Sequence, residues 1–147
     1  MKKGRRLAFD FGDARIGVAV SDPDSILATP VLTIETKRED LWDRIFDLLG
    51  EYEPVTVYVG RPVHLAGHES DSTVKAERFA SQLRERFDLD VRMIDERLST
   101  VSAQRAMREA GRNARQSKER IDQAAAVAIL EMALDVEKAK ARRELSE

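Results

Sequence analysis

Three acidic positions stand where a carboxylate is either costly or chemically useful. Asp10 interrupts the apolar run Leu7 to Phe11 immediately before Gly12. An ionised carboxylate in such surroundings is expensive unless it is paired or bound to a cation. Read alone, Asp10 fits a turn-forming residue or a satisfied core acid as well as it fits a functional carboxylate. Asp95 and Glu96 close a later apolar segment, Val91 to Ile94, and Arg97 follows at once. A charged strand end is by itself ordinary. Asp122 falls on the first turn expected for the last helix, with Ala125 and Ala126 three and four residues further on. Small residues there let a helix approach a sheet closely, although an Asp in a first helical turn also complements the helix dipole.

Together the three acids say more than each alone. Neighbouring central strands place Asp10 and Glu96 side by side, and a last helix crossing over them adds Asp122. Oxygen donors without His or Cys suit Mg²⁺ or Mn²⁺ rather than zinc. Two such ions about 3.5–4 Å apart can activate a water and stabilise the leaving oxygen of a phosphodiester. The expectation is therefore that Asp10, Glu96 and Asp122 converge in space as metal ligands and catalytic groups.

The elements that must position them follow from hydrophobic period. Leu7, Phe9 and Phe11 alternate with Ala8 and Asp10, a strand signature, and Ile16 to Val20 resumes after a short Gly-containing loop, which predicts a hairpin. Val31 to Ile34 reads as a third strand. Leu41, Ile45, Leu48 and Leu49 fall at helical spacing, with Gly50 as the expected stop. Val55 to Val59 reads as a central strand covered on both faces. Val74, Phe79, Leu83 and Phe87 share one broad helical face, and Val91 to Ile94 is a further strand. Ser99 or Thr100 caps a helix ending before Gly111, residues Gly111 to Ser117 read as a mobile loop, and the last helix begins near Lys118 or Glu119 and runs past Ala139. The order is strand, strand, strand, helix, strand, helix, strand, helix, helix. It implies an α/β fold with a mixed sheet, antiparallel at its opening and then parallel, flanked by helices on both faces.

Composition sets the outer bounds. The chain has 147 residues, enough for one domain spanning 1–147, with a charged tail from about residue 139. Apolar residues make up 42% and charged residues 35%, which excludes a disordered or membrane composition. The net charge of −2 excludes a uniformly basic coat, and the absence of Cys removes disulfides, thiolate nucleophiles and Cys-based zinc sites. No run approaches a bilayer span or a signal peptide. A reduced, soluble, cytoplasmic protein without membrane contact is expected.

Four blocks resemble one family. Leu7-Ala-Phe-Asp-Phe-Gly-Asp-Ala-Arg-Ile-Gly-Val-Ala-Val-Ser-Asp22 is similar to the opening signature of the YqgF (RuvX) family of pre-16S ribosomal RNA nucleases, also described as Holliday junction resolvases. The resemblance continues in Val59-Gly-Arg-Pro62 with Gly67, in Asp95-Glu-Arg-Leu-Ser-Thr100 and in Ile121-Asp-Gln-Ala-Ala125. It implies a ribonuclease H-like fold, an acidic triad at Asp10, Glu96 and Asp122, Mg²⁺ or Mn²⁺ as cofactor, and hydrolysis of phosphodiester bonds in structured nucleic acid. The implied substrate is the 5′ end of precursor 16S ribosomal RNA, or alternatively branched DNA. Two stretches depart from the family pattern: Gly12-Asp-Ala-Arg15 has Asp and Ala where Thr and Lys are more usual, and Arg61 with Val63-His-Leu-Ala-Gly67 replaces an apolar residue and an Asn-containing loop. Both bear on substrate contact and neither removes an acid.

Charge and the remaining polar residues fit that reading. Between Arg97 and Arg120 seven basic residues, Arg97, Arg105, Arg108, Arg112, Arg115, Lys118 and Arg120, face only Glu109 and Glu119. Charge runs are usually solvated faces. This one lies between the Glu96 and Asp122 elements, where Arg and Lys would neutralise a phosphate backbone. Arg15 and Arg97 each lie close to an acid and either hold phosphate or pair with that acid. His64 and His68 sit in a loop with Gly67 and read as surface residues rather than ligands. Trp42 and Phe46 read as packing residues, and Arg61 has no assigned role. Two other classes remain in view. Asp10-Phe-Gly12 also fits the phosphate-wrapping hairpin of an actin-like ATPase, although a single domain supplies only half of such a cleft. A catalytically silent nucleic-acid-binding module would not need all three acids.

Overall fold

The computed structural model describes residues 1–62, 71–96 and 114–146, with the backbone alone for 114–119. Five strands form one sheet: β1 (Arg6–Phe11), β2 (Arg15–Ser21), β3 (Ala28–Glu35), β4 (Thr56–Arg61) and β5 (Val91–Asp95), in the order β3-β2-β1-β4-β5. β1, β2 and β3 pair antiparallel, whereas β1–β4 and β4–β5 are parallel. The mixed sheet read from the sequence is therefore present. β3 is longer than expected and takes in Pro30, which an edge strand tolerates because one side needs no ladder donor. Its pairing slips by one residue opposite Val18 and Ala19.

Strand alternation sorts the side chains into two cores. On one face Leu7, Phe9, Ile16, Val18, Val57 and Val59 pack against helices α1 (Leu41–Tyr52) and α2 (Asp71–Arg86). Phe79 of α2 anchors this layer, edge-on to Phe9 at 5.6 Å and stacked on Phe11 at 4.9 Å and Trp42 at 5.7 Å. On the other face Ala8, Ala19 and Tyr58 meet the last helix, α3 (Ala114–Ser146), through Ala126, Ile129, Leu130, Ala133 and Leu134. That spacing is one helical stripe, and its small members bring α3 close to the sheet.

Several boundaries differ from expectation. Gly50 does not stop α1, which continues to Tyr52 and ends at Glu53 in the left-handed conformation (φ 45°), its N–H donating to the Leu49 carbonyl. Tyr52 packs against the core, so the extra turn buries an aromatic ring. Val74 lies off the buried face of α2, because Thr73, Ala76, Phe79, Ala80 and Leu83 form the stripe instead. Trp42 packs as expected and carries the Arg86 guanidinium 4.2 Å above its ring, but Phe46 is 63% exposed and merely stacks on Phe87. α3 begins at Ala114, so residues 114–117 are helical rather than loop and Asp122 sits in the third turn, not the first. The helix dipole therefore does not account for Asp122. The charged tail continues the same helix to Ser146. The helix expected after Ser99 or Thr100 lies outside the described residues.

One polar pin is absent from the sequence reading. Arg6 is 1% exposed, and its guanidinium donates to Glu137 at 3.1 Å, to the Gly4 carbonyl at 2.7 Å and to Ser25 Oγ at 3.1 Å. Glu137 also holds the Tyr58 hydroxyl, which burial and then the Glu137 charge push up to about 12. Breaking a buried pair leaves an uncompensated charge, which costs about 3–5 kcal/mol. Glu137→Ala should therefore lower the unfolding free energy by roughly that amount, read from urea denaturation. A loss below about 1 kcal/mol would mean that water compensates Arg6.

Candidate functional site

The parallel strands β1, β4 and β5 all point their carboxyl ends to one edge of the sheet, where open α/β sheets bind ligands. Asp10 is the penultimate residue of β1, and alternation turns it to the α3 face beside Ala8, away from Leu7, Phe9 and Phe11. Glu96 follows directly on β5. The strands of Asp10 and Glu96 are not neighbours as expected: β4 lies between them, and its Gly60 has no side chain, where a Cβ would meet Glu96 Oε1 at 2.7 Å, and Ile129 of α3 closer still. That vacancy lets the two acids reach one another.

Their side chains are hydrogen-bonded, and both hold a proton more tightly than free carboxyls. Asp10 is raised well above its ordinary value of 3.8, first by burial, then by the Glu96 charge, by the hydrogen bond with Glu96 and by Asp122. Glu96 is raised by burial and by Asp95, against the lowering effect of its bond to Asp10. Two carboxyls in a shared, poorly solvated place cannot both ionise cheaply.

Asp122 approaches from above. Gly17 of β2 is the direct cross-strand partner of Asp10, and a Cβ on Gly17 would collide with the Asp122 backbone carbonyl. The α3 backbone thus rests on β2 where β2 has no side chain, and Asp122 is near enough for its charge to act on Asp10. Its carboxylate accepts a 2.7 Å hydrogen bond from Arg15 Nε. The next residue, Gln123, donates its amide to Thr33 Oγ1 at 3.2 Å, fixing α3 against β3. The three acids therefore gather at one end of the sheet. Among the described residues they are not yet closed into a ligating cluster, Asp122 being held by Arg15.

An all-oxygen set in which Asp10 and Glu96 hold a proton more tightly than free carboxyls fits a divalent cation in place of the proton. Of the other positions read from the sequence, Arg15 is found on Asp122 and Arg120 is exposed on α3. Arg115 and Lys118 lie on the α3 backbone, and Arg97, Arg105, Arg108 and Arg112 lie outside the described residues, as do His64 and His68. Arg61 donates to Glu77 of α2 at 3.0 Å, and Thr73 Oγ1 donates to the Pro62 carbonyl, so the end of β4 is tied to α2. Gly17 and Gly60 were missed as site residues. Their signal is a glycine inside an otherwise apolar strand, which marks a close approach.

The RuvX family model, described as Holliday junction resolvase, matches residues 4–136. A "Putative pre-16S rRNA nuclease" of Streptomyces coelicolor is 45% identical over 144 residues, covering 97% of this chain and 86% of the relative. One of the same name from Rhodococcus jostii is 52% identical over 139 residues, covering 90% of this chain and 78% of the relative. Among solved structures, Thermus thermophilus RuvC in complex with a Holliday junction substrate superimposes with a TM-score of 0.55 at 16% identity, over 91% of this chain and 96% of that one. The fold is ribonuclease H-like.

Two outcomes follow from the geometry. Gly17→Ala should push α3 off β2 and destabilise the protein by about 1–3 kcal/mol in urea melts. An unchanged midpoint would mean that α3 has slack there. For Asp10, a folded pKa above the unfolded one means that stability is fullest below about pH 4 and declines as pH rises through the raised value. Without added metal, Asp10→Asn should melt a few degrees higher than wild type at pH 7–8, the gap closing towards pH 4. A constant gap across that range would show that the Asp10 charge is not the source.

Proposed function

The chain belongs to the RuvX family, and from that premise we propose that it is a metal-dependent nuclease that processes the 5′ end of precursor 16S ribosomal RNA. The observation that carries the reading is the hydrogen-bonded, poorly solvated pair Asp10–Glu96 with Asp122 facing it at the carboxyl end of the sheet. Asp10, Glu96 and Asp122 would supply the oxygens that hold Mg²⁺ or Mn²⁺. Bound there, a divalent cation supplies Lewis acidity towards a phosphoryl oxygen and a water of lowered pKa. The chain's own residues do the rest. Burial beneath α3 keeps the carboxyls poorly solvated, Gly17 and Gly60 set their spacing, and Arg15 places a cation beside Asp122. The basic residues from Arg97 to Arg120 neutralise the substrate backbone.

Branched DNA is the second reading, favoured by the family's description and by the RuvC-like fold. Relatives named for the ribosomal RNA precursor at 45% and 52% identity favour RNA. Among the described residues no helix is long and apolar enough to cross a membrane.

The test is cleavage of a precursor ribosomal RNA and of a four-way DNA junction, side by side, with Mg²⁺, with Mn²⁺ and with chelator. Loss of even an outer partner of a metal ligand costs 10- to 100-fold. Asp10→Asn and Glu96→Gln should therefore reduce cleavage by at least about 100-fold while remaining folded. Added Mg²⁺ or Mn²⁺ should raise the melting temperature of wild type more than that of either variant. Undiminished cleavage by both variants, with equal metal-induced shifts, would return Asp10 and Glu96 to a structural role and leave a silent binding module as the better account.

A further inference from the structure

At the end of the β2–β3 hairpin a hollow of about 660 Å³ opens between the loop after β1 and the start of α1. Four of its lining residues are basic, Arg15, Lys37, Arg38 and Arg44, and two are acidic, Asp13 and Glu35. Part of this charge is already used. Asp13 is paired with Lys75 of α2 at 2.9 Å. Arg38 holds Asp40 through two hydrogen bonds of 2.7 and 3.0 Å and lies within reach of the Glu35 charge. Arg15 is on Asp122.

Lys37 and Arg44 remain, with no ion pair or side-chain hydrogen bond among the described residues. Arg44 is half-buried in the first turn of α1, lining the hollow instead of extending from a convex surface. Arg44 lies within reach of the Asp40 charge, but that carboxylate is already bonded to Arg38, and a cation kept partly from water without a directly bonded anion favours an anionic ligand.

The position of the hollow identifies that ligand. Its wall includes Arg15 and Thr33, the two residues that clasp Asp122 and Gln123 of α3. It therefore begins where the carboxylate site ends. We infer that the hollow is a second phosphate subsite, in which Lys37 and Arg44 neutralise backbone phosphates of the same nucleic-acid strand that presents its scissile bond to Asp10 and Glu96. The inference rests on the nuclease reading and adds the path of the strand across the β2–β3 end. Phosphate contacts of this kind carry affinity and register, not base identity.

Binding in the Asp10→Asn background tests it, using a fluorescent RNA hairpin with a single-stranded 5′ arm and fluorescence anisotropy from 50 to 300 mM salt. Lys37→Gln/Arg44→Gln should weaken binding about tenfold and flatten the log–log salt dependence by about 0.7–0.9 for each phosphate left without its cation. Arg44→Lys, which keeps the charge, should retain the slope. Lys140→Gln/Arg142→Gln, on the exposed far end of α3, should change neither. In the otherwise wild-type chain, Lys37→Gln/Arg44→Gln should raise KM with little change in kcat. Unchanged affinity and slope in the Lys37/Arg44 variant, while the parent binds well, would overturn the subsite and leave the nuclease reading standing. An equal loss in the Lys140/Arg142 variant would do the same, by showing a diffuse charge effect. A parent that binds no RNA at any salt would overturn both.

Discussion

The rest of the site depends on the contact between the α3 backbone and Gly17. Facing α3, β2 presents Arg15, Gly17 and Ala19 in turn, a long side chain, none, and a small one. The helix rests where the side chain is missing, and Arg15 reaches around it to Asp122. With α3 farther away by the width of a side chain, water would enter over Asp10 and relieve the burial that raises its pKa. Asp122 would also withdraw from Asp10. The approach of Asp122, the desolvation of Asp10 and the Arg15 pair follow from this absent Cβ, as the Asp10–Glu96 contact follows from the one absent at Gly60.

That arrangement works against folding locally, because like charges are gathered under a lid. The opposing forces lie further along the same helix. Ile129, Leu130 and Leu134 are essentially buried against the sheet, each contributing about 1.5–3 kcal/mol. Beyond them the Arg6–Glu137–Tyr58 cluster pins α3 at the opposite end of β1 from Asp10. α3 is thus anchored by apolar burial along its middle and by a buried ion pair beyond. The segment carrying Asp122 is held down although its own electrostatics oppose it. A divalent cation would remove the opposition without altering the anchors.

Much of this was legible in the sequence, and the failures share a cause. The strands were readable because a two-residue period separates the core of Leu7 and Phe9 from that of Ala8. Asp10, Glu96 and Asp122 were readable as acids out of place among apolar or small neighbours. Boundaries that depend on tertiary contact were not: α1 passes Gly50 because Tyr52 has a core to enter, and Val74 sits one position away from a stripe built on Thr73 and Ala76. Asp122 looked like a residue of a first turn because nothing local shows that Ala114 to Ser117 are helical. The Arg6–Glu137 pair joins residues far apart in the chain, so no local pattern announces it. Gly60 signals close packing in general, but only the fold shows that the space it leaves belongs to Glu96.

Charge reads differently at the scale of the site than at that of the chain. A net charge of −2 with three acids at the centre would repel a polyanion if charge acted globally. Screening shortens that reach to about 8 Å at physiological ionic strength. A phosphate therefore responds to its immediate neighbours rather than to the chain total. Beside Asp122, on the β2–β3 side, those neighbours are Arg15 and, beyond it, a hollow whose Asp13 is paired with Lys75 and whose Glu35 lies within reach of Arg38. Asp10 and Glu96 are desolvated and take up a proton more readily than free carboxyls, which works against their full negative charge. An acidic centre within a slightly acidic chain is compatible with a polyanionic substrate because carboxyls that ionise reluctantly and the Arg15 cation meet at the same edge of the sheet.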